Sequence, residues 1–154
     1  TFYEKAEELG IILDIHTGLH WYPIKKYHPL KFDEIATKFP SLVMILEHVG
    51  GFCFYKDAVA VILNHMPDGK SNLFAGITSN LDDVEFKYWY LGTDRIRELV
   101  WLIGKEYLIY GLDFPYNNVK KIKKDLKQIN SMDIPLEAKK SLLGSNLKKL
   151  LMNQ

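Results

Sequence analysis

The stretch IILDIHTG, residues 11–18, is an apolar segment that ends in a histidine just before a Thr-Gly pair. Its apolar residues hardly alternate with polar ones, which is typical of a strand buried on both faces of a parallel sheet. VMILEHVGG (residues 43–51) repeats the pattern with His48, and LIYGLDFPY (residues 108–116) delivers Asp113 instead. Three apolar runs that each end in a metal-ligating or proton-carrying side chain predict a common functional edge.

Strands and helices alternate along the chain. We predict strands over 11–16, 42–48, 73–78 and 107–112. We predict helices over 2–9, 31–39, about 53–65, about 95–103, 117–130 and from Pro135 onward. This alternation indicates an α/β fold in which a parallel sheet is covered by helices.

The spacing of the strand ends, near residues 16, 48, 79 and 113, is nearly constant. Such a period favours βα units repeated around a barrel. A doubly wound open sheet would give the same alternation, but the chain has no G-x-G-x-x-G or Walker A fingerprint. The chain also enters directly from Thr1 into residues that resemble the last turns of a helix, so we expect a piece of a longer protein.

The charge and composition of the chain narrow the classes of partner that it could bind. Twenty basic and 19 acidic residues leave a net charge of +1, which favours neither nucleic acid nor a membrane surface as partner. No apolar run approaches the roughly 20 residues of a membrane-spanning helix. The single cysteine, Cys53, fits a reducing compartment, so we expect a cytoplasmic protein with a buried thiol at this position. We interpret FKYWY (residues 86–90) as helix packing rather than a stacking platform for single-stranded nucleic acid.

The strand-end residues could hold a metal ion. In a barrel, the carboxyl ends of parallel strands meet at one face, so His16, His48 and Asp113 would converge there. Imidazole and carboxylate are suitable zinc ligands, and histidine also transfers protons near neutral pH. Taken singly, either histidine could be structural, and Asp113 could be a turn residue before Pro115.

Four ordered segments resemble the amidohydrolase-related proteins of the amidohydrolase superfamily, the group that includes aminocarboxymuconate semialdehyde decarboxylase. YEKAEELGIILDIHTG is similar to the fifth-strand segment of that family, and FDEIATKFPSLVMILEHVGG to the following helix and sixth strand. YLIYGLDFPY resembles the eighth-strand G-S-D-F-P motif, and LLGSNLKKLL the terminal I-L-G-x-N-A-x-x-L-L helix.

This resemblance implies a single domain over residues 1–154 that forms the second half of a TIM (β/α)₈ barrel of metal-dependent hydrolase type, with four βα units and C-terminal helices. It implies one divalent metal, commonly zinc, with His16 and Asp113 as ligands. His48 would be the catalytic acid/base or the residue that polarises a small-molecule substrate, and Asp113 would also handle the proton of the bound water. The activity would be hydrolysis at a carbonyl-type centre or, with the same ligands, decarboxylation.

The departures from the family pattern are the absence of any H-x-H pair and Leu112 in place of the usual serine. The pair completes the metal shell in the family, whereas tight zinc sites need at least three protein ligands. We therefore expect weak metal binding and little activity from these residues alone. Because four strands cannot close an eight-stranded barrel, we also expect a homo-oligomer or association with the missing half. A non-catalytic half-barrel that functions only by association is the alternative.

Overall fold

The computed structural model describes residues 1–152. Its strands form one parallel sheet in the order β1-β2-β3-β4, with β1 Leu13–His16, β2 Met44–Glu47, β3 Leu73–Ile77 and β4 Leu108–Tyr110. The helices of this range are α1 Phe2–Glu8, α2 Lys31–Lys38, α3 Gly51–Asn64, α4 Gly92–Leu102, α5 Val119–Ser131, α6 Leu136–Lys140 and α7 Asn146–Met152. The predicted α/β class, with parallel strands alternating with helices, is confirmed.

The sheet separates a large apolar core from a smaller one. Leucine and methionine side chains such as Met44, Leu46 and Leu108 are fully buried in the large core, together with apolar residues of the flanking helices. On the other face, Ile45, Phe74 and Ile109 form a small cluster against which Leu147 and Leu150 pack. Side chains alternate between the two faces of the sheet along each strand. On the face that carries the small cluster, the residues two positions after Ile45, Phe74 and Ile109 are therefore those nearest the carboxyl ends of the strands.

A side-chain cap is present at the start of α1 but not at the start of α4. Thr1 caps α1: its hydroxyl accepts a hydrogen bond from the Glu4 N–H at 3.2 Å, and the Glu4 carboxylate accepts one from the Thr1 amino group. Thr93 and Asp94 are residue types that often cap helices, but α4 begins at Gly92 and has no side-chain cap.

The apolar residues that recur at helical spacing in α5 are buried only in part. Ile129 is fully buried, but Val119 is 62% exposed. The buried face instead includes Asp125, whose carboxylate accepts a hydrogen bond from the Tyr110 hydroxyl at 3.2 Å. A hydrogen-bonding partner on β4 thus makes a polar position of the helix part of the packed face.

Two further expectations from the sequence concern the Cys53 thiol and membrane-spanning helices. Cys53 is exposed near the start of α3 and not buried, because the buried face of that helix is formed by residues such as Tyr55, Ala58 and Ile62. In the range 1–152, no helix combines the length and apolar character needed to cross a membrane.

Candidate active site at the carboxyl edge of the sheet

The three residues singled out in the sequence lie at the carboxyl ends of three strands. His16 is the last residue of β1, His48 directly follows β2, and Asp113 follows β4 by three positions. The imidazole rings of His16 and His48 contact each other edge to face, with centroids 4.7 Å apart. Asp113 is near enough to raise the pKa of His48. The parallel sheet therefore brings the three side chains to one edge.

One nitrogen atom of the His16 ring is suited to bind a metal ion. Its Nε2 is buried and has no hydrogen-bond partner within the described residues. Burial, followed by the neighbouring His48 and His20, lowers the pKa of His16 to about 4. The ring is therefore neutral at physiological pH and keeps a free lone pair, which is the form of histidine that binds metal ions.

His48 is held in one tautomer. The side chain is buried, and its Nδ1 lies 2.8 Å from the Thr78 carbonyl oxygen, which can only accept a hydrogen bond. The proton therefore resides on Nδ1, and Nε2 keeps its lone pair. Burial lowers the pKa of His48, whereas the Thr78 carbonyl and Asp113 oppose this shift. The ring is thus a neutral proton acceptor in a site with little water.

Asp113 belongs to a short chain of hydrogen bonds. Its Oδ2 accepts a hydrogen bond from the Ser79 hydroxyl at 3.2 Å, and that hydroxyl accepts one from Asn117 Nδ2 at 3.1 Å. Ser79 and Asn117 are both buried. These hydrogen bonds orient the carboxylate through Oδ2, so that Oδ1 can serve a ligand.

The backbone at these strand ends is strained. His48, Ser79 and Asp113 have positive φ angles of 60°, 57° and 52°, a region that residues other than glycine adopt rarely. Each such residue costs about 1–3 kcal/mol and persists only when the surroundings enforce it. Strain at three adjoining strand ends is a pattern found at functional sites.

A second polar layer lies beneath these residues on the same face of the sheet. The Glu47 carboxylate accepts a hydrogen bond from the His48 N–H at 3.1 Å and lies over Gly76, where a Cβ atom would approach its Cδ to 2.8 Å. Burial and the Glu47 carboxylate raise the pKa of Asp14 to about 7, although part of Asp14 reaches solvent. The side-chain hydroxyl of Thr78 is buried there as well. The layer is therefore a carboxyl-rich floor for the site.

Three further residues shape the site, and the sequence reasoning missed them. Thr17 Oγ1 donates to the Glu47 carbonyl at 2.7 Å and accepts from the Gly50 N–H at 2.8 Å. Asn80 Nδ2 donates to the carbonyl of His48. The Trp89 ring stacks on the His48 ring, whereas we predicted helix packing for this aromatic run. Thr17 and Asn80 could have been found as polar residues following predicted strands, but Trp89 lies too far from any strand end.

The residues that could ligate a metal are His16 and Asp113. Over residues 1–152, no group of three or more His, Cys, Asp or Glu side chains is arranged to hold an ion. Among the described residues, the Nε2 of His16 has no hydrogen-bond partner, and this nitrogen and the carboxylate of Asp113 are donors of the types that zinc accepts. The donors present fit part of a divalent-metal site.

Comparisons with known proteins show which folds and which family this chain resembles. The chain is similar to an uncharacterized TIM-barrel protein from Bordetella bronchiseptica, with a TM-score of 0.78 and 18% identity over 98% of this chain and 49% of the other. It is similar to 2,6-dihydroxybenzoate decarboxylase from Rhizobium (TM-score 0.65, 15% identity, 99% of this chain and 54% of the other). It is also similar to 5-carboxyvanillate decarboxylase from Sphingomonas paucimobilis (TM-score 0.66, 14% identity, 97% and 52%).

The chain therefore spans about half the length of these barrels, and its fold is that of a partial TIM barrel. A comparison with curated proteins gives no significant match. The family model described as amidohydrolase matches residues 1–151, which is nearly the whole chain. This chain belongs to the amidohydrolase family.

Proposed function

We propose that this chain supplies one half of the active site of a metal-dependent hydrolase that acts on a carbonyl-type centre of a small molecule. His16 and Asp113 ligate a divalent metal, which we propose to be zinc, and His48 transfers protons. The observation that carries the proposal is the meeting of His16 and His48, with ring centroids 4.7 Å apart, beside a His16 Nε2 that has no partner among the described residues.

The metal, when bound, supplies a Lewis acid that polarises the substrate and acidifies a water molecule. The chain's own residues then handle the protons. As the water oxygen bonds to the carbonyl carbon, its proton passes to the Asp113 carboxylate. The proton then passes from Asp113 to His48 Nε2, which keeps a free lone pair. As the bond from the carbonyl carbon to the leaving group breaks, His48 donates that proton to the leaving group and returns to its neutral form.

The remaining metal ligands must come from outside this chain, because tight zinc sites need at least three protein ligands. We propose that they are provided by a further half of the barrel, which pairs with the sheet formed here. The similar structures have chains about twice as long, which supports this proposal. Without that half, the chain would bind metal weakly and would function only by association.

Decarboxylation is the second candidate reaction, because two of the similar structures are decarboxylases of aromatic acids. In that reaction His48 Nε2 first takes up a proton from solvent. The bond between the ring carbon and the carboxylate breaks, CO₂ leaves, and the ring carbon takes that proton from His48. The same ligands would serve both reactions. We also propose a cytoplasmic location, which the single, unpaired Cys53 supports.

The test is Asp113→Asn in the protein that contains both halves of the barrel. We expect turnover to fall by about 10²-fold or more, because the variant loses both a ligand charge and a proton acceptor. Zinc content, measured by plasma mass spectrometry after mild chelation, should fall in parallel. Asp133→Asn changes an exposed aspartate and is the matched control. Release of ¹³CO₂ from a carboxyl-labelled aromatic acid would identify decarboxylation, and unchanged turnover in Asp113→Asn would remove Asp113 from the mechanism.

A further inference from the structure

We propose that Trp89 is a positioning residue that fixes the orientation of the His48 imidazole for proton transfer. The proposal rests on the proposed function, because the orientation of this ring matters for catalysis only if His48 transfers protons. Trp89 lies in the long connection between β3 and α4, far in sequence from all three strand-end residues.

The contact between the two side chains is a parallel stack. The ring centroids of His48 and Trp89 are 4.6 Å apart, and the ring planes are inclined by only 10°. His16 meets the same imidazole edge to face and lies 5.8 Å from the Trp89 ring, again edge to face. His48 is 3% exposed. One face of the imidazole is therefore covered by the indole, and the ring can neither tilt toward that side nor be hydrated there.

Trp89 is itself held at several points. Its Nε1 donates to the Leu19 carbonyl at 2.9 Å, and its own carbonyl accepts from Asn80 Nδ2 at 2.7 Å. The same Asn80 nitrogen donates to the His48 carbonyl at 3.0 Å, so one amide group ties the backbones of the two stacked residues together. A Cβ atom at Gly51 would lie 3.1 Å from Trp89 Cδ1, closer than ordinary van der Waals contact, so glycine at this position lets the indole pack closely.

These anchors complement the hydrogen bond from His48 Nδ1 to the Thr78 carbonyl. That bond selects the tautomer but acts at a single point, around which the ring can still swing. Stacking fixes the plane of the ring, and aromatic pairs of this kind contribute about 0.5–1.5 kcal/mol beyond the area they bury. Together they aim Nε2 in one direction, and small errors in the position of a catalytic group have large effects on rate.

The experiment compares Trp89→Leu with Trp89→Phe in the protein that contains both halves of the barrel. Leucine fills much of the space without a planar ring, whereas phenylalanine keeps a ring that can stack. Trp101→Leu is the matched control, because Trp101 is 81% exposed on α4. Steady-state kinetics on the hydrolysed or decarboxylated substrate gives kcat and KM. Long-range ¹H–¹⁵N spectra of the histidine rings, with His48 assigned by its loss in His48→Gln, report tautomer and ring-current shift.

We expect Trp89→Leu to lower kcat about tenfold or more with KM within about twofold, because the variant loses orientation and not substrate contacts. The His48 signals should lose their ring-current shift. Their single-tautomer pattern should also weaken, because the unstacked ring can swing away from the Thr78 carbonyl that selects the tautomer. Trp89→Phe should restore most of kcat and the single tautomer, and Trp101→Leu should change neither. These results would support the positioning role.

Three results would overturn it. The first is a His48 spectrum that is unchanged in Trp89→Leu, whatever the activity. The second is an equal loss of kcat in the leucine and phenylalanine variants, which would indicate general damage to the fold. The third is a rise of KM with kcat unchanged, which would make Trp89 a substrate contact. If the wild-type protein turns over no substrate while the His48 spectrum still depends on Trp89, the proposed function fails and the positioning of the ring stands.

Discussion

Asp125, the one acidic residue in the sequence of α5, carries a buried carboxyl group. The side chain is 4% exposed and receives one hydrogen bond, from the Tyr110 hydroxyl. Burial raises the pKa of Asp125, and the Tyr110 hydrogen bond opposes the shift only in part. The folded chain therefore favours the protonated form more than the unfolded chain does.

We predict that Asp125→Asn stabilises the protein at high pH and not at low pH. An unfolded aspartate titrates near 3.9, and the folded pKa is higher, so the folded state binds more protons between these values. The free energy of unfolding of the wild type should therefore fall as pH rises above about 4, and the amide removes this dependence. Urea denaturation should show Asp125→Asn more stable by about 1 kcal/mol at pH 8. A difference of equal size at pH 4 and pH 8 would contradict the prediction.

At the level of single residues, the sequence was sufficient for side chains that directly follow a strand. The positions of His16, His48 and Asp113 follow from parallel strand direction alone, because all carboxyl ends of such strands meet at one edge. Trp89 could not be found in this way. Its place against His48 is set by hydrogen bonds to Leu19 and Asn80, which depend on how two long loops meet and leave no periodic pattern in the sequence.

Among the elements, α7 shows how one side chain attaches a helix to the sheet. Asn146, the first residue of α7, donates from Nδ2 to the carbonyl oxygens of Lys105 at 2.7 Å and Leu108 at 2.8 Å. The following Leu147 and Leu150 pack against the small apolar cluster on the sheet. The amide thus satisfies two carbonyl groups at the start of β4 while the leucines cover the sheet.

We predict that Asn146→Ala lowers the free energy of unfolding by about 2 kcal/mol, because two carbonyl groups lose their donor and one of the two bonds is buried. Urea denaturation at neutral pH measures the change. Asn130→Ala is the matched control, because Asn130 is exposed and its amide bonds only the Leu126 carbonyl within α5. A loss in Asn146→Ala no larger than in Asn130→Ala would show that the leucines alone attach α7.

The positions of the strands and helices were predictable from the sequence, but the exact residues at which they begin and end were not. All four strands lie within the predicted ranges because apolar runs without alternation are distinctive. The predicted start of α4 was wrong. The backbone at Gly92 is held by the hydrogen bond from its N–H to the Asn80 carbonyl and not by a capping side chain. The burial of Asp125 is likewise accompanied by a hydrogen bond from Tyr110, a partner that helical periodicity does not include.

For the whole molecule, the sheet order leaves β1 and β4 at the outside, each without a neighbouring strand on its outer side in the range 1–152. In β1, the hydrogen bonds from the N–H groups of Leu13 and Thr17 to β2 residues indicate which groups face inward. By alternation, the N–H groups of Asp14 and His16 point away from the sheet. Unpaired edges of this kind favour pairing with another strand.

We predict that this chain, produced without a further half-barrel, self-associates through these edges. Light scattering at about 100 µM should give a mass of at least twice the 17.9 kDa of one chain. Backbone pairing is only weakly sensitive to salt, so 0.5 M NaCl should not dissociate the assembly, whereas association through surface charges would weaken. Asp14→Pro removes an outward N–H group without removing one that bonds β2, so it should lower the associated fraction. A monomer at this concentration, or an Asp14→Pro variant that associates as the wild type does, would show that the β1 edge is not what holds copies together.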